Sequence, residues 1–351
     1  MQRPDGTTFM DFDYYNTLRE KFLQILYDGL PDKSYIRTGC NVQSITQHAD
    51  SVDVTLADGS VETGDMILGV DGVSSLTRTS MWDHADKVSP GLITQKDKTC
   101  MKTSYRGLIG IGPQIPNLRK DVLITTFDEK LTFLTLTQKE QVFWLVLFRL
   151  PETMVWPQRG RWTEKDAEEQ AAKIASHPLT KECKFEDLWN TRERGALVPM
   201  EEGLLDRWYH DRIVLAGDAA HKVTPNLALG GNSAMESVVV LCNLLQKMVA
   251  GQENARPSLE TLTKAFAAYQ NERHGRMKVI VDLSARATRM EAWDHMLDKF
   301  VTTRVMPYIP HHFLVKQLGR IITPAPKLDY VSLEGFARGK TPWKYDDGVE
   351  C

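Results

Sequence analysis

The residues best placed to do chemistry lie in one segment, VLAGDAAHKVTPNLALGGNSAMES, at 214–237. The apolar run IVLAG, 213–217, reads as a buried strand that delivers Asp218 at its carboxyl end, where open α/β sheets bind ligands. Gly230 and Gly231 let a backbone approach a ligand closely. The helix expected from about residue 233 to 249 presents free N–H groups and a positive dipole end. A carboxylate that can accept two hydroxyls, facing a helix N-terminus that can stabilise an anion, suits a polyol-bearing anionic cofactor such as a flavin. The plainer alternative is an Asp in a strand-end turn before a glycine-started helix. Upstream, Gly69-Val-Asp71-Gly72-Val-Ser-Ser75-Leu-Thr-Arg78 repeats the theme of a strand ending in an Asp-Gly turn. Ser75 and Arg78, one helical turn apart, could gather donors around a phosphate. A capped turn with a surface Arg reads equally well in isolation.

The elements that must hold these groups can be traced along the chain. Residues 14–30 place Leu18, Phe22, Ile25 and Leu26 on one helical face, closed by Gly29 and Pro31. Alternating runs around Asp58-Gly59 predict strands joined by tight turns. The run DMILGV, 65–70, predicts a strand covered on both faces. VLITTFD, LTFLTLTQ and QVFWLVLFRL follow with links too short for crossovers, so they predict an antiparallel meander. Thr163-Glu-Lys-Asp166 reads as a capping box opening a helix to about residue 176. Residues 257–305 read as mostly helical, and the tail after Met306 shows no clear periodicity.

The Gly217-Asp218-Ala-Ala-His221 segment, with Pro225 and Gly230-Gly231-Asn232, resembles the GD motif of class A FAD-dependent monooxygenases. The segment ending in Asp71-Gly72 and Arg78 resembles their DG motif. The resemblance covers 14–305 and is nearest to the aromatic hydroxylases and the fungal epoxidases of prenylated metabolites. It implies that Asp218 binds the ribityl hydroxyls, that Gly231 and Asn232 lie by the pyrimidine side of the flavin, and that Pro225 shapes the cavity beside the ring. Arg19, in TLREKF, matches an arginine that reaches the cofactor in the family, although the Asp that often precedes it is a Leu here. Ser104-Tyr105-Arg106-Gly107 resembles the start of the family's substrate sheet and makes Arg106 the catalytic candidate; an outward-pointing strand arginine is the alternative. Arg286 and Arg289 are expected as ion-pair partners, and His221 as a packed histidine.

The implied fold is α/β: an FAD/NAD(P)-binding domain of the glutathione-reductase type, with an inserted antiparallel substrate sheet and C-terminal helices. Its parts are 1–84, the first part of the FAD domain; 85–205, the sheet; 206–305, the second part and helices; and 306–351, a tail. The family's opening GxGxxG unit is not seen before Arg19, and Gly107–Gly112 has the wrong spacing to replace it. The domain is therefore expected to be incomplete, and FAD binding by this chain weak. The implied activity is epoxidation or hydroxylation of a terpenoid or aromatic small molecule with NAD(P)H and O2. A non-catalytic remnant or partner-dependent interaction protein is the alternative; a dehydrogenase is a further one, while a halogenase lacks its tryptophan motif and lysine here.

Composition agrees. The chain has 351 residues and a net charge of −3, which gives no electrostatic case for nucleic acid. Its five cysteines are scattered, with no zinc or redox spacing, so no metal is expected and a reducing compartment is. The polar, acidic N-terminus does not resemble a signal peptide. Apolar runs such as 238–245 fall short of the ~20 residues needed to span a membrane. The expected location is cytoplasmic, with membrane association left open.

Overall fold

The computed structural model describes residues 19–250 and 256–332. The chain opens with helix α1 (Arg19–Asp28) and a three-stranded antiparallel sheet, β1 (Val42–Gln47), β2 (Val52–Leu56) and β3 (Val61–Gly64). Gly59, at φ +85°, makes the tight β2–β3 turn, and the Asp58 carboxylate accepts from the Ser60 amide at 2.9 Å. Strand β4 (Ile67–Gly69) leads into α2 (Leu76–Val88) and the short α3 (Gln95–Lys98).

Next come β5 (Lys102–Pro113), β6 (Leu123–Asp128), β7 (Leu131–Thr137) and β8 (Gln141–Val155), then α4 (Glu164–Lys173), α5 (Phe185–Asn190) and β9 (Arg194–Leu204). The meander and the Thr163–Asp166 capping box form as the sequence predicts. The chain returns through β10 (Tyr209–His210) and β11 (Ile213–Leu215), then β12 (His221–Lys222), α6 (Leu229–Ala250), α7 (Leu259–Glu291) and α8 (Met296–Phe300). The tail carries an amphipathic helix, α9 (His311–Ile322), that its weak periodicity did not announce.

The large sheet runs β12-β9-β5-β8-β7-β6, and a smaller one runs β10-β11-β4. Strand β12, which follows the Gly217-Asp218 turn, hydrogen-bonds to β9, so the segment after that turn adds its own strand to the large sheet.

Two apolar cores result. One gathers Met81 and Trp82 of α2, all of β11, Trp208, and Phe266, Tyr269, Met277 and Ile280 of α7. The other fills the space between the large sheet and helices α4 and α5 around Phe133, Trp144, Val146, Phe185 and Leu188. Helix α7, about 50 Å long at 1.5 Å per residue, lies along α6 and reaches the sheet with its C-terminal end.

Some expectations are revised. β4 is only half-buried, and Val70 after it is exposed. Phe22, Ile25 and Leu26 of α1 also stand exposed. Among the described residues α6 is long and apolar enough to cross a membrane, with a mean hydropathy of 1.2 in its most apolar window. The sequence hid this because glycines and serines interrupt its apolar run. In this fold Ser233, Ser237, Val240 and Leu241 are the buried face of α6.

Candidate functional site

The site grows from two adjacent strand ends. β4 pairs in parallel with β11, Gly69 opposite Leu215, and the Ala216 amide donates to the Gly69 carbonyl at 3.0 Å. Both strands therefore leave the sheet at the same end, one into Asp71-Gly72 and the other into Gly217-Asp218. Gly217 takes φ +59°, a conformation glycine adopts at little cost. The turn packs on the start of α6, where a Cβ on Gly217 would lie 3.3 Å from the Ala234 Cβ.

Arg78 fastens the two turns together. Its guanidinium donates to the Ala219 carbonyl at 3.0 Å and the Val73 carbonyl at 2.6 Å, between the rings of Trp82 and Trp156. It is fully buried. This corrects the expectation of a phosphate donor: no surface of Arg78 is left for a ligand. Asp71 also works inward, accepting from the Ser75 hydroxyl and from the Thr77 amide at 2.9 Å, which caps α2. Gly72 is open instead: at φ +78°, a Cβ there would meet nothing within 4 Å.

Asp218 keeps 35% of its side-chain surface and pairs with Lys222, four residues on in β12. A short 3-10 turn, Pro225–Leu227, ends at Ala228 in the left-handed region. α6 then begins at Leu229, earlier than expected, so Gly230 and Gly231 lie in its first turn. That turn has amides without partners inside the helix, and Gly231 leaves open space where a side chain would stand. The Asn232 side-chain amide donates to the Ala228 carbonyl at 2.8 Å, bracing the approach. A part-exposed carboxylate near a side-chain-free helix start fits the hydroxyls and the anionic ring of a flavin.

A buried polar network joins this loop to α7. Thr288 donates within reach of Thr224 and Asn226, both at 2.7 Å, and the Asn226 amide donates to Glu291. Burial pushes the Glu291 carboxyl up to about 7, against the lowering effect of Asn226. His221 is buried beside Ser237 at 3.1 Å, and burial with the Arg273 charge pushes it down to about 3. It is a packed neutral histidine, unsuited to giving up a proton.

The large sheet turns one face towards α7. A bulge at Ser104 sets the register, after which Tyr105 lies opposite Met200 and Arg149, and Gly107 opposite Val198 and Leu147. Ile109, Leu134, Leu136, Phe143, Leu145, Val198 and Met200 leave this face apolar and partly exposed. Tyr105 donates to Asp294 at 2.6 Å, and Arg289 pairs with Glu202, at the margin of that face. Arg106 points the other way. Its guanidinium donates to Gln170 of α4 and packs near Phe148 and Trp162. Arg106, expected as the catalytic candidate, therefore lies on the α4 side of the sheet, with the sheet itself between it and α7. Arg19 heads α1, but its side chain lies outside the described residues.

The FAD binding domain family matches residues 117–284. The FAD-dependent monooxygenase DEP2 of Alternaria brassicicola is 35% identical over 97% of this chain and 67% of its own length. The FAD-dependent monooxygenase ausM of Penicillium brasilianum is 32% identical over 93% of this chain and 71% of its own. The chain belongs to the FAD-dependent monooxygenases.

Solved structures share the fold of this FAD-dependent monooxygenase. Klebsiella pneumoniae HpxO, complexed with FAD and uric acid, superposes with a TM-score of 0.64 at 18% identity, over 86% of this chain and 70% of that one. A salicylate hydroxylase substrate complex gives 0.57 at 18%, over 88% and 76%. Sequence reading missed Lys222, Asn226, Glu291 and the Tyr105–Asp294 pair of this monooxygenase. Tyr105 stood in the Ser-Tyr-Arg-Gly motif, but the bulge at Ser104 decides which neighbour faces α7.

Proposed function

We propose that this chain binds FAD in the cleft between Asp218, the Gly72 turn and the Gly230-Gly231 helix start. There it oxygenates a small apolar substrate, terpenoid or aromatic, by epoxidation or hydroxylation with NAD(P)H and O2. The observation that carries this reading is the convergence of the Asp71-Gly72 and Gly217-Asp218 turns on one end of the β4–β11 pair. Bound flavin would supply the redox chemistry and the activation of O2. The chain's own groups would do the rest. Asp218 would accept from ribityl hydroxyls, with Lys222 holding its carboxylate in place. The first turn of α6 would stabilise charge on the reduced ring. Pro225 and Asn226 would wall the cavity, and the apolar sheet face around Leu145 and Met200 would receive the substrate and exclude water.

The test is titration of the purified chain with FAD, read by flavin fluorescence, for the parent and Asp218→Ala. Hydrogen bonds to a charged group contribute roughly 1.5–3 kcal/mol each, so the variant should bind about tenfold to a hundredfold more weakly. Turnover is then read as NAD(P)H-dependent incorporation of heavy-isotope oxygen into terpenoid and aromatic candidates. An unchanged FAD affinity in Asp218→Ala would overturn the site. Tight FAD binding without oxygen transfer to any candidate would favour the non-catalytic reading.

A further inference from the structure

The opposite end of the β4–β11 pair, away from the cleft, carries a second cluster that the oxygenation reading does not use. His84 comes from the last turns of α2. His210 ends β10, and Asp211 makes the β10–β11 turn at φ +50°. His84 Nε2 lies 3.1 Å from Asp211 Oδ2, and His210 Nδ1 lies 3.7 Å from the same oxygen. The ligand atoms of all three residues fall within 4.8 Å of one another. The two imidazoles meet edge-on, with centroids 5.4 Å apart.

One observation separates this cluster from an ordinary ion pair. His210 is buried, with only 5% of its side chain exposed, and its Nδ1 has no hydrogen-bond partner. Buried polar atoms are nearly always satisfied, so an orphan nitrogen asks what completes it. At 3.7 Å the Asp211 oxygen is too far to accept a hydrogen bond. The spacing does suit two ligands of one ion. Ligands about 2.0–2.1 Å from a tetrahedral zinc stand roughly 3.3 Å apart. The separations of 3.1 and 3.7 Å bracket that value.

We propose that His84 Nε2, His210 Nδ1 and the Asp211 carboxylate form a binding site for a divalent transition-metal ion, with Zn2+ the best match. Two imidazoles and one carboxylate select zinc and its neighbours over magnesium and calcium, which prefer all-oxygen shells. The exposed sides of His84 and Asp211 leave a water-accessible fourth position. The ion would clamp α2 to the β10–β11 turn, at the far ends of elements whose near ends hold the Asp71-Gly72 and Gly217-Asp218 turns. Its role is structural, so the site is tested without reference to turnover. Zinc motifs read from sequence need close spacing, and here the ligands from α2 and the turn lie 127 positions apart.

The experiment uses the full chain after chelator treatment. Zn2+ is titrated by calorimetry, and Co2+ is added separately as a visible spectroscopic probe. The expected result is about one equivalent of Zn2+ at micromolar affinity or tighter, with Co2+ bands typical of low coordination number. His84→Ala and Asp211→Asn, at part-exposed positions, should each weaken binding about tenfold or more while circular dichroism stays unchanged. Cys40→Ser, at an exposed thiol that could bind metal adventitiously, should leave binding unchanged. No saturable binding below about 100 µM Zn2+, or binding that survives both cluster variants, would overturn the proposal and leave a His–Asp ion pair.

Discussion

At the residue scale, the site depends on a few polar groups held where water reaches them poorly. Glu291 shows how burial sets proton affinity. Its carboxyl sits behind Asn226 and is pushed from an ordinary 4.5 up to about 7. A folded-state pKa above the unfolded one means that the native state holds the proton more tightly. Stability from this group is fully present below about 4.5 and is lost as pH rises through about 7. His221 works in the opposite sense. Depressed to about 3, it contributes stability above its ordinary 6.5 that is lost as pH falls. The Glu291 contribution is therefore read as a difference between proteins. Relative to the parent, Glu291→Gln should be more stable near pH 8 and close to even near pH 4, with urea midpoints as the measurement. A parallel pH dependence in the two proteins would show that Glu291 ionises freely.

At the element scale, the glycines of β5 show how a motif can mislead. Gly107, Gly110 and Gly112 have the look of a nucleotide-binding run, yet they are strand residues whose missing side chains make room for neighbours. A Cβ on Gly110 would lie 2.2 Å from the Trp144 ring, on the face covered by α4 and α5. One on Gly107 would lie 2.2 Å from the Met200 Cε and 2.7 Å from a Leu145 methyl, on the face turned to α7. Both neighbours of Gly107 are flexible side-chain ends, so Gly107→Ala should fold at a cost of about 1–3 kcal/mol. Its urea midpoint should fall while FAD affinity stays within about twofold, because the flavin contacts proposed above come from other elements. A larger loss of FAD affinity than of stability would place Gly107 nearer the cofactor than the sheet geometry allows.

At the scale of the whole molecule, two cores divide the work. Phe185 is buried in the core between the sheet and helices α4 and α5, and Met277 in the core around β11 and α6. The two clusters share no member, so their losses should add. Phe185→Ala should cost about 3–5 kcal/mol and Met277→Ala about 2–5. The double variant should match the sum within about 0.5 kcal/mol by urea denaturation. Strong coupling would mean that the large sheet and the layer around β11 and α7 unfold through a shared core. The β12–β9 pairing, the Arg289–Glu202 ion pair and the Tyr105–Asp294 hydrogen bond are among the polar links that could carry such coupling.

The sequence alone determined the pieces whose information is local. Asp218 after an apolar strand, the Asp71-Gly72 turn, the meander and the Thr163 capping box follow from hydrophobic period, turn chemistry and capping, which need only near neighbours. The family resemblance rests on the same local motifs. Tertiary structure decided everything that depends on which side a residue faces. The register break at Ser104, against both β8 and β9, leaves Tyr105 towards α7 and Arg106 under α4, and side-chain alternation cannot be followed through such a break from sequence. Arg78 reads as a surface donor until the Ala219 carbonyl, 141 positions away, is brought to it. Glu291 is one more charge on a long helix until the fold buries it against Asn226. His84, His210 and Asp211 meet only because β11 pairs with β4 and brings the β10 turn beside α2. Contacts at that sequence separation leave no periodic trace, since the chain pattern records burial and turn geometry but not the partner across the fold.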